Sequence, residues 1–207
     1  MTVEVELEPD PVRSGVAAQG PVECAQTAVI TVDDALFERI WAPSTLELLA
    51  RSYWRFLRRR SLGAIKVSYG PDSREVHLVT ERITLLRFHA PRFTTGDDFG
   101  EVEWPIARGL LVASEGREQG YLKMRVSHGE DAHGDGTESF TVTSEVANFY
   151  PWIRGTGWFA RLGAWLYSQT QFRIHVWITR GFLKSLSDLP AEVLRRGEDP
   201  SSEPEDA

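Results

Sequence analysis

"FARLGAWLYSQTQFRIHVWITRGFLKSL", residues 159–186, is the stretch that decides the fold. No proline interrupts it, and its density of large side chains is that of a helix. Wound at 3.6 residues per turn, it shows no clean polar face. Trp158, Leu162, Trp165, Phe172, Val176 and Leu183 make one stripe, while Phe159, Leu166, Ile174, Trp177 and Phe182 cover much of the remainder. A surface helix needs one apolar stripe; one that is apolar nearly all round has to be enclosed.

A lipid bilayer is the first enclosure to weigh. Spanning it takes about 20 consecutive, predominantly apolar residues. Here Arg161, Gln169, Gln171, Arg173 and Arg180 interrupt the run, and charges at mid-bilayer are costly. The start of the chain, "MTVEVELEPDPVRSG", is acidic and lacks the basic start and apolar core of a secretory signal. Enclosure by protein is the expectation, in a chain with no transmembrane segment.

The totals agree with a globular interior. Hydrophobic residues make up 42% and charged ones 26% of 207 residues, which sets the chain apart from disordered sequences. Seven tryptophans point to a large apolar core. The net charge of -7 argues against generic nucleic-acid binding, which needs a basic surface. "RRR" at 58–60 is a local exception, and three cations at the end of a helix complement its dipole. With Cys24 as the single cysteine, neither an internal disulfide nor a cysteine zinc cluster can form, and the cytoplasm is the expected compartment.

Upstream of the decisive stretch the chain reads mainly as strands. Residues 1–21 are rich in Pro, Gly and Glu and are expected to be loose. "CAQTAVITV" (24–32) is β-branched and apolar, hence a strand. Asp33 or Asp34 can cap a short helix to about Ile40, and Ser44 with Glu47 has the capping-box spacing for a second. Leu46, Leu49, Tyr53, Phe56 and Leu57 share one side of that second helix. "GAIKVSYG" then leads into "REVHLVTERITLLRF", whose alternation changes phase near 80–82, as in one long strand curved by a bulge. "GEVEWPIARGLLVAS", "GYLKMRV" and "TESFTVTSEV" complete an antiparallel set, with a polar loop "SHGEDAHGDG" before the last. The acidic tail 189–207 has little to bury.

The order of strand, two short helices, five or six antiparallel strands and one long helix resembles the START-like, or Bet v 1-like, superfamily of helix-grip proteins. This is the polyketide cyclase/lipid-transport group, also called SRPBCC. The resemblance covers about residues 24–188 and is carried by "GTESFTVTSEV" running through "FYPWI" into "RGTGWFARLGAWLYSQTQFRIHVWITRGFLKSL". It implies an α+β helix-grip fold, in which a curved antiparallel sheet wraps around the C-terminal helix and the two can leave a ligand cavity. The superfamily contains lipid carriers, receptors, cyclases and dehydratases, so the fold alone does not fix the chemistry.

Phe88, Trp104, Tyr121, Phe140 and Trp165 are the aromatic candidates for lining such a cavity, with Gln169 and His175 as polar groups of the final helix that would orient a ligand. Gln171 and His175 neighbour each other on that helix, as do Gln169 and Arg173. Glu101 and Glu103 share a strand face opposite Val102 and Trp104, and are expected to point outward. Glu81 sits at the phase change and can point either way. His128, Glu130, Asp131, His133 and Asp135 have ligand types suited to zinc, but their glycine-rich setting is that of an exposed hairpin loop. No metal site or cofactor is therefore assigned. No GxSxG, P-loop or dinucleotide fingerprint occurs.

Residues 22–188 are thus expected to form one domain that binds or carries a hydrophobic small molecule, with no nucleic-acid partner and a homodimer as its possible assembly. The alternatives are a cyclase or dehydratase using a pocket His or Glu, with no catalytic residue identified, and a protein with a filled cavity that acts through protein contacts.

Overall fold

The structure is a computed structural model that describes residues 3–9, 22–70, 73–78, 84–109, 112, 118–128, 136–149 and 176–188. Strands β1 (Val3–Leu7) and β2 (Val22–Asp33) are followed by helices α1 (Asp34–Ile40) and α2 (Pro43–Arg60). Then come β3 (Ile65–Tyr69), β4 (Ser73–Leu78), β5 (Thr84–His89), β6 (Arg92–Thr95), β7 (Phe99–Arg108), β8 (Gly120–His128) and β9 (Thr137–Phe149). Residues 176–185 are helical, here α3, and pass into a 3-10 turn at Leu186–Asp188. The fold is α+β. Its sheet has the order β1-β2-β9-β8-β7-β5-β4-β3, with β6 pairing β7 beside β5, and every pair is antiparallel.

Period-two alternation fixes which side chains face inward. On β7, Val102, Trp104 and Ile106 are buried; on β8, Leu122 and Met124; on β2, Ala28, Ile30 and Val32. Register aligns them into rows: Val102 faces Met124, which faces Ser144, which faces Gln26. The other face is charged. Glu101 pairs with Arg125 at 3.7 Å, Glu103 with Arg92 at 3.5 Å, and Lys123 with Glu145 at 3.9 Å. Both glutamates of β7 therefore point outward, as the alternation requires.

Three expectations change at the level of elements. The first segment is not loose throughout, because "VEVEL" alternates in period two and pairs with β2 from Val3↔Val32 to Leu7↔Ala28. The stretch read as one bulged strand is two: β4 and β5 pair antiparallel from Ser73↔His89 to His77↔Thr84, so the chain reverses between them. A reversal and a bulge both shift the apolar phase, and the pattern alone does not separate them. The second helix is also not short. It runs 18 residues from Pro43 at its first turn, and its N-cap is Ala42 rather than Ser44; proline's missing N–H costs nothing at that position.

The helices cover the inner face. From α2, Leu46, Leu49, Ala50, Tyr53, Trp54 and Leu57 are buried. Helix α3 buries Thr179, Phe182 and Leu183 and exposes Trp177, Arg180 and Lys184. Over its described residues it is therefore amphipathic rather than apolar all round. Its Phe182 ring meets Tyr53 edge-on at 5.1 Å and Phe56 at 5.8 Å. Gly181 allows that approach, since a Cβ there would lie 3.0 Å from the end of the Phe56 ring. Arg60, last of the three arginines closing α2, stacks over the Trp177 ring at 4.2 Å.

Candidate functional site

A cavity of about 160 Å³ opens where α1 meets α2. Ile40, Trp41, Ala42, Thr45, Leu46 and Leu49 form its helical side. Gly100, Val126, Phe140 and Val142 form its floor on the sheet, and Thr95, Gly96 and Phe99 of the β6–β7 hairpin form its rim. Apart from two threonines the lining is apolar. Gly100 sets the width, because a Cβ there would meet the Leu46 methyl at 3.3 Å.

Of the seven candidate lining residues, Phe140 borders this cavity. Phe88 and Trp104 are 2% and 0% exposed in the aromatic core, where Trp54 meets each edge-on at 5.3 and 5.4 Å. Tyr121 lies on the outer face, donating a hydrogen bond to Glu145 Oε1 at 2.7 Å. It borders an open polar depression there with His89, Arg92, Glu103 and Glu118. Trp165, Gln169 and His175 lie outside the described residues, as do Gln171, Arg173 and Glu81. This cavity lies between the sheet and the α1–α2 corner; the cavity expected from the sequence, between the sheet and the last helix, involves a helix most of which lies outside the described residues.

Deeper along the same interior is a set of buried polar atoms. The Nε1 atoms of Trp54 and Trp104 and Nη1 of Arg74 are buried without a hydrogen-bond partner. Arg74 reaches inward from β4, opposite Phe88, and its guanidinium carbon lies 5.7 Å from the Trp104 ring centroid. Burial pulls its pKa below the ordinary arginine value; Tyr69 opposes that shift and the Arg51 charge adds to it. An unsatisfied buried donor costs about 1–3 kcal/mol, so three together are comparable with the net stability of a domain, about 5–15 kcal/mol. The Trp54–Trp104 pair is edge-to-face at 87°. In that geometry one ring points at the other's face, which can occupy one indole N–H at most. Gln26 Oε1 and Ser144 Oγ are also buried without a partner, on the neighbouring row.

Sequence reading missed Trp54 and Arg74. Trp54 carries a periodic signal, since Ala50, Trp54 and Leu57 fall at i, i+4 and i+7 on the buried side of α2. Arg74 carries none, because a charged residue beginning a strand reads as solvent-facing.

Two histidines are held by neighbours. His128, at the end of β8, lies 3.0 Å from Glu138 Oε2 and stacks on Phe37 at 4.7 Å, next to Trp41 of the cavity. The metal reading of its loop rested also on Glu130, Asp131, His133 and Asp135, which lie outside the described residues. His77 is 4% exposed, with Nε2 2.9 Å from Ser68 Oγ and Nδ1 3.3 Å from Thr84 Oγ1. Its nearest carboxylate, Glu75, approaches Nε2, the same nitrogen that faces the serine. A nucleophile–base–carboxylate relay needs the carboxylate on the other nitrogen, so these three do not form one.

No helix among the described residues is long and apolar enough to cross a membrane. No family model matches the chain, and no curated protein matches it. Among solved structures it is similar to a conserved protein from Geobacillus kaustophilus at 9% identity and a TM-score of 0.37, covering 83% of this chain and 96% of that one. It is similar also to a protein from Arthrobacter aurescens at 12% identity and a TM-score of 0.38, covering 90% and 91%. Human STARD10 aligns at 7% identity and a TM-score of 0.35, covering 97% and 82%. With all three TM-scores under 0.5, a function for this chain has to rest on its own geometry.

Proposed function

We propose that this chain is a START-like, helix-grip domain that binds a hydrophobic small molecule, and that the cavity under the α1–α2 corner receives it. One observation carries the reading: an opening of about 160 Å³ with an almost wholly apolar lining, framed by two helices and four strands of the sheet. An apolar cavity of about 150 Å³ is known to stay dry and accept a benzene-sized guest. The opening thus suits one ring, or one segment of an alkyl chain, of a larger ligand. Residues 22–188, with β1 added to the sheet, are the domain that would carry this activity. Binding without chemistry is favoured over an acid–base enzyme because the His128–Glu138 pair stands behind Trp41 and Phe37 and is not part of the cavity lining.

Thermal denaturation with 1-decanol tests it. At a hundredfold excess over Kd a ligand adds about 2.7 kcal/mol, which for a chain of this size raises Tm by roughly 5–10 °C. Val126→Phe, which places a ring in the cavity floor, should abolish the rise. A wild-type protein that shows no rise, or a variant that shows the same one, overturns the proposal.

A further inference from the structure

Charge on this chain is sorted along the sheet rather than mixed. Strands β1, β2 and β9 are neighbours at one edge and carry six carboxylates with no Lys or Arg. The opposite edge is β3, which follows α2 after a short turn. Residues 48–69, from within α2 through β3, hold six of the chain's 23 Lys and Arg and none of its 30 Asp and Glu. Residues 176–187 add Arg180 and Lys184, again without a carboxylate, and the Arg60–Trp177 stack joins α3 to that basic end. The folded chain is therefore acidic at one edge and basic beyond the other.

The two ends present charges in rows of matching length. Glu4 and Glu6 of β1, with Glu8 just beyond, are exposed on one face of the strand. None of the three has an ion-pair partner among the described residues. Their row covers four residue steps, about 13 Å at 3.3 Å per residue. On α2, Arg51, Arg55 and Arg59 follow one side of the helix at i, i+4 and i+8, about 12 Å at 1.5 Å per residue. Arg59 is exposed and faces no carboxylate among the described residues, and Arg51 has the exposed Glu47 at 4.0 Å. A guanidinium fork suits a carboxylate's two oxygens.

Leu62 stands at the same end with its side chain 96% exposed and its backbone at φ 53°. Its N–H donates to the Arg59 carbonyl at 3.1 Å, and the Gly63 N–H to that of Arg58 at 3.2 Å. The left-handed region is unfavourable for leucine. The turn nevertheless holds an apolar side chain out in water, where an incoming surface can cover it.

We infer that the basic end receives a second copy of this chain, the glutamate row of β1 in one molecule lying on the arginine row of α2 in the other. The contact joins two different surfaces and is complementary in charge. Charges along an edge strand oppose continuation of the sheet, so the contact is made through side chains.

Sedimentation equilibrium of the full chain tests this at low and high salt, with circular dichroism as the control for folding. In 20 mM NaCl the mass should rise above the monomer's 23.4 kDa. In 500 mM NaCl, where the Debye length falls from about 20 Å to about 4 Å, association should weaken at least tenfold. Two variants change exposed side chains alone: Glu4→Gln/Glu6→Gln/Glu8→Gln and Arg51→Gln/Arg59→Gln. Each should stay monomeric by itself, and their equimolar mixture should form a pair, because it retains one intact acidic edge and one intact basic end. A wild type that stays monomeric at about 0.5 mM in low salt, or associates equally at both salt levels, overturns the inference. So does either variant associating as the wild type does, or a mixture that forms no pair. Vesicles of phosphatidylserine and phosphatidylcholine in equal parts are run alongside. A monomeric wild type that binds them through Arg51 and Arg59 would assign the basic end to an anionic membrane instead.

Discussion

Replacing Phe182 with alanine tests how α3 is seated, and the structure sets the size of the effect. The Phe182 ring is 1% exposed and lies edge-on to Tyr53 and Phe56. Truncating a fully buried phenylalanine costs about 3–5 kcal/mol, with the edge-to-face contacts placing this site toward the upper end. Trp177, five residues earlier on the same helix, is the internal control: it is 51% exposed, and its main partner is the Arg60 guanidinium. An exposed cation–π contact contributes about 0.5–1 kcal/mol. With a urea dependence near 2.5 kcal/mol per M, typical for a chain of this size, Phe182→Ala should lower the unfolding midpoint by roughly 1.2–2 M. Trp177→Ala should lower it by roughly 0.2–0.4 M. Equilibrium urea titration followed by circular dichroism reads both. Equal losses, or a larger loss for Trp177→Ala, would mean that α3 presents its other face to α2, and the packing argument would be wrong.

Burial pushes the Tyr53 phenol well above its ordinary value of 10.0. Above pH 10 the unfolded chain therefore loses this proton while the folded chain keeps it. Stability should fall by about 1.4 kcal/mol per pH unit from that point upward. Urea titrations from pH 9 to 11.5 should show this slope in the wild type, with that share of it missing in Tyr53→Phe; identical slopes would contradict it. Gly109, at φ 155°, has no room for a side chain, since a Cβ would fall 2.2 Å from the Leu85 carbonyl oxygen. Gly109→Ala should cost about 3 kcal/mol, the upper end of overpacking effects, and a loss under 1 kcal/mol by thermal denaturation would refute the close β5–β7 approach. Glu103→Gln on the outer face, half of an exposed pair with Arg92, should change stability by less than about 1 kcal/mol; a larger loss would show that this face is not solvent-facing.

How much of this was legible in the sequence follows from what each feature depends on. The inward set of β7 and β8 depends only on alternation within one strand, so Val102 and Trp104 inside and Glu101 and Glu103 outside could be read directly. The solvent face of α3 was hidden because Trp177, apolar by composition, is held at the surface by Arg60 of another helix. The place of the cavity depends on which elements meet. Leu46 of α2, Gly100 of β7 and Phe140 of β9 are far apart in the chain, and they come together because β7, β8 and β9 are neighbours in the sheet. Arg74 is the strongest case. Nothing around "SRE" marks it as interior, and it faces Trp104 because β4 pairs with β5 and β5 pairs with β7, leaving Phe88 between them. The approach of the Arg74 guanidinium to the Trp104 ring thus depends on the order of three strands, and it becomes visible only once that order is known.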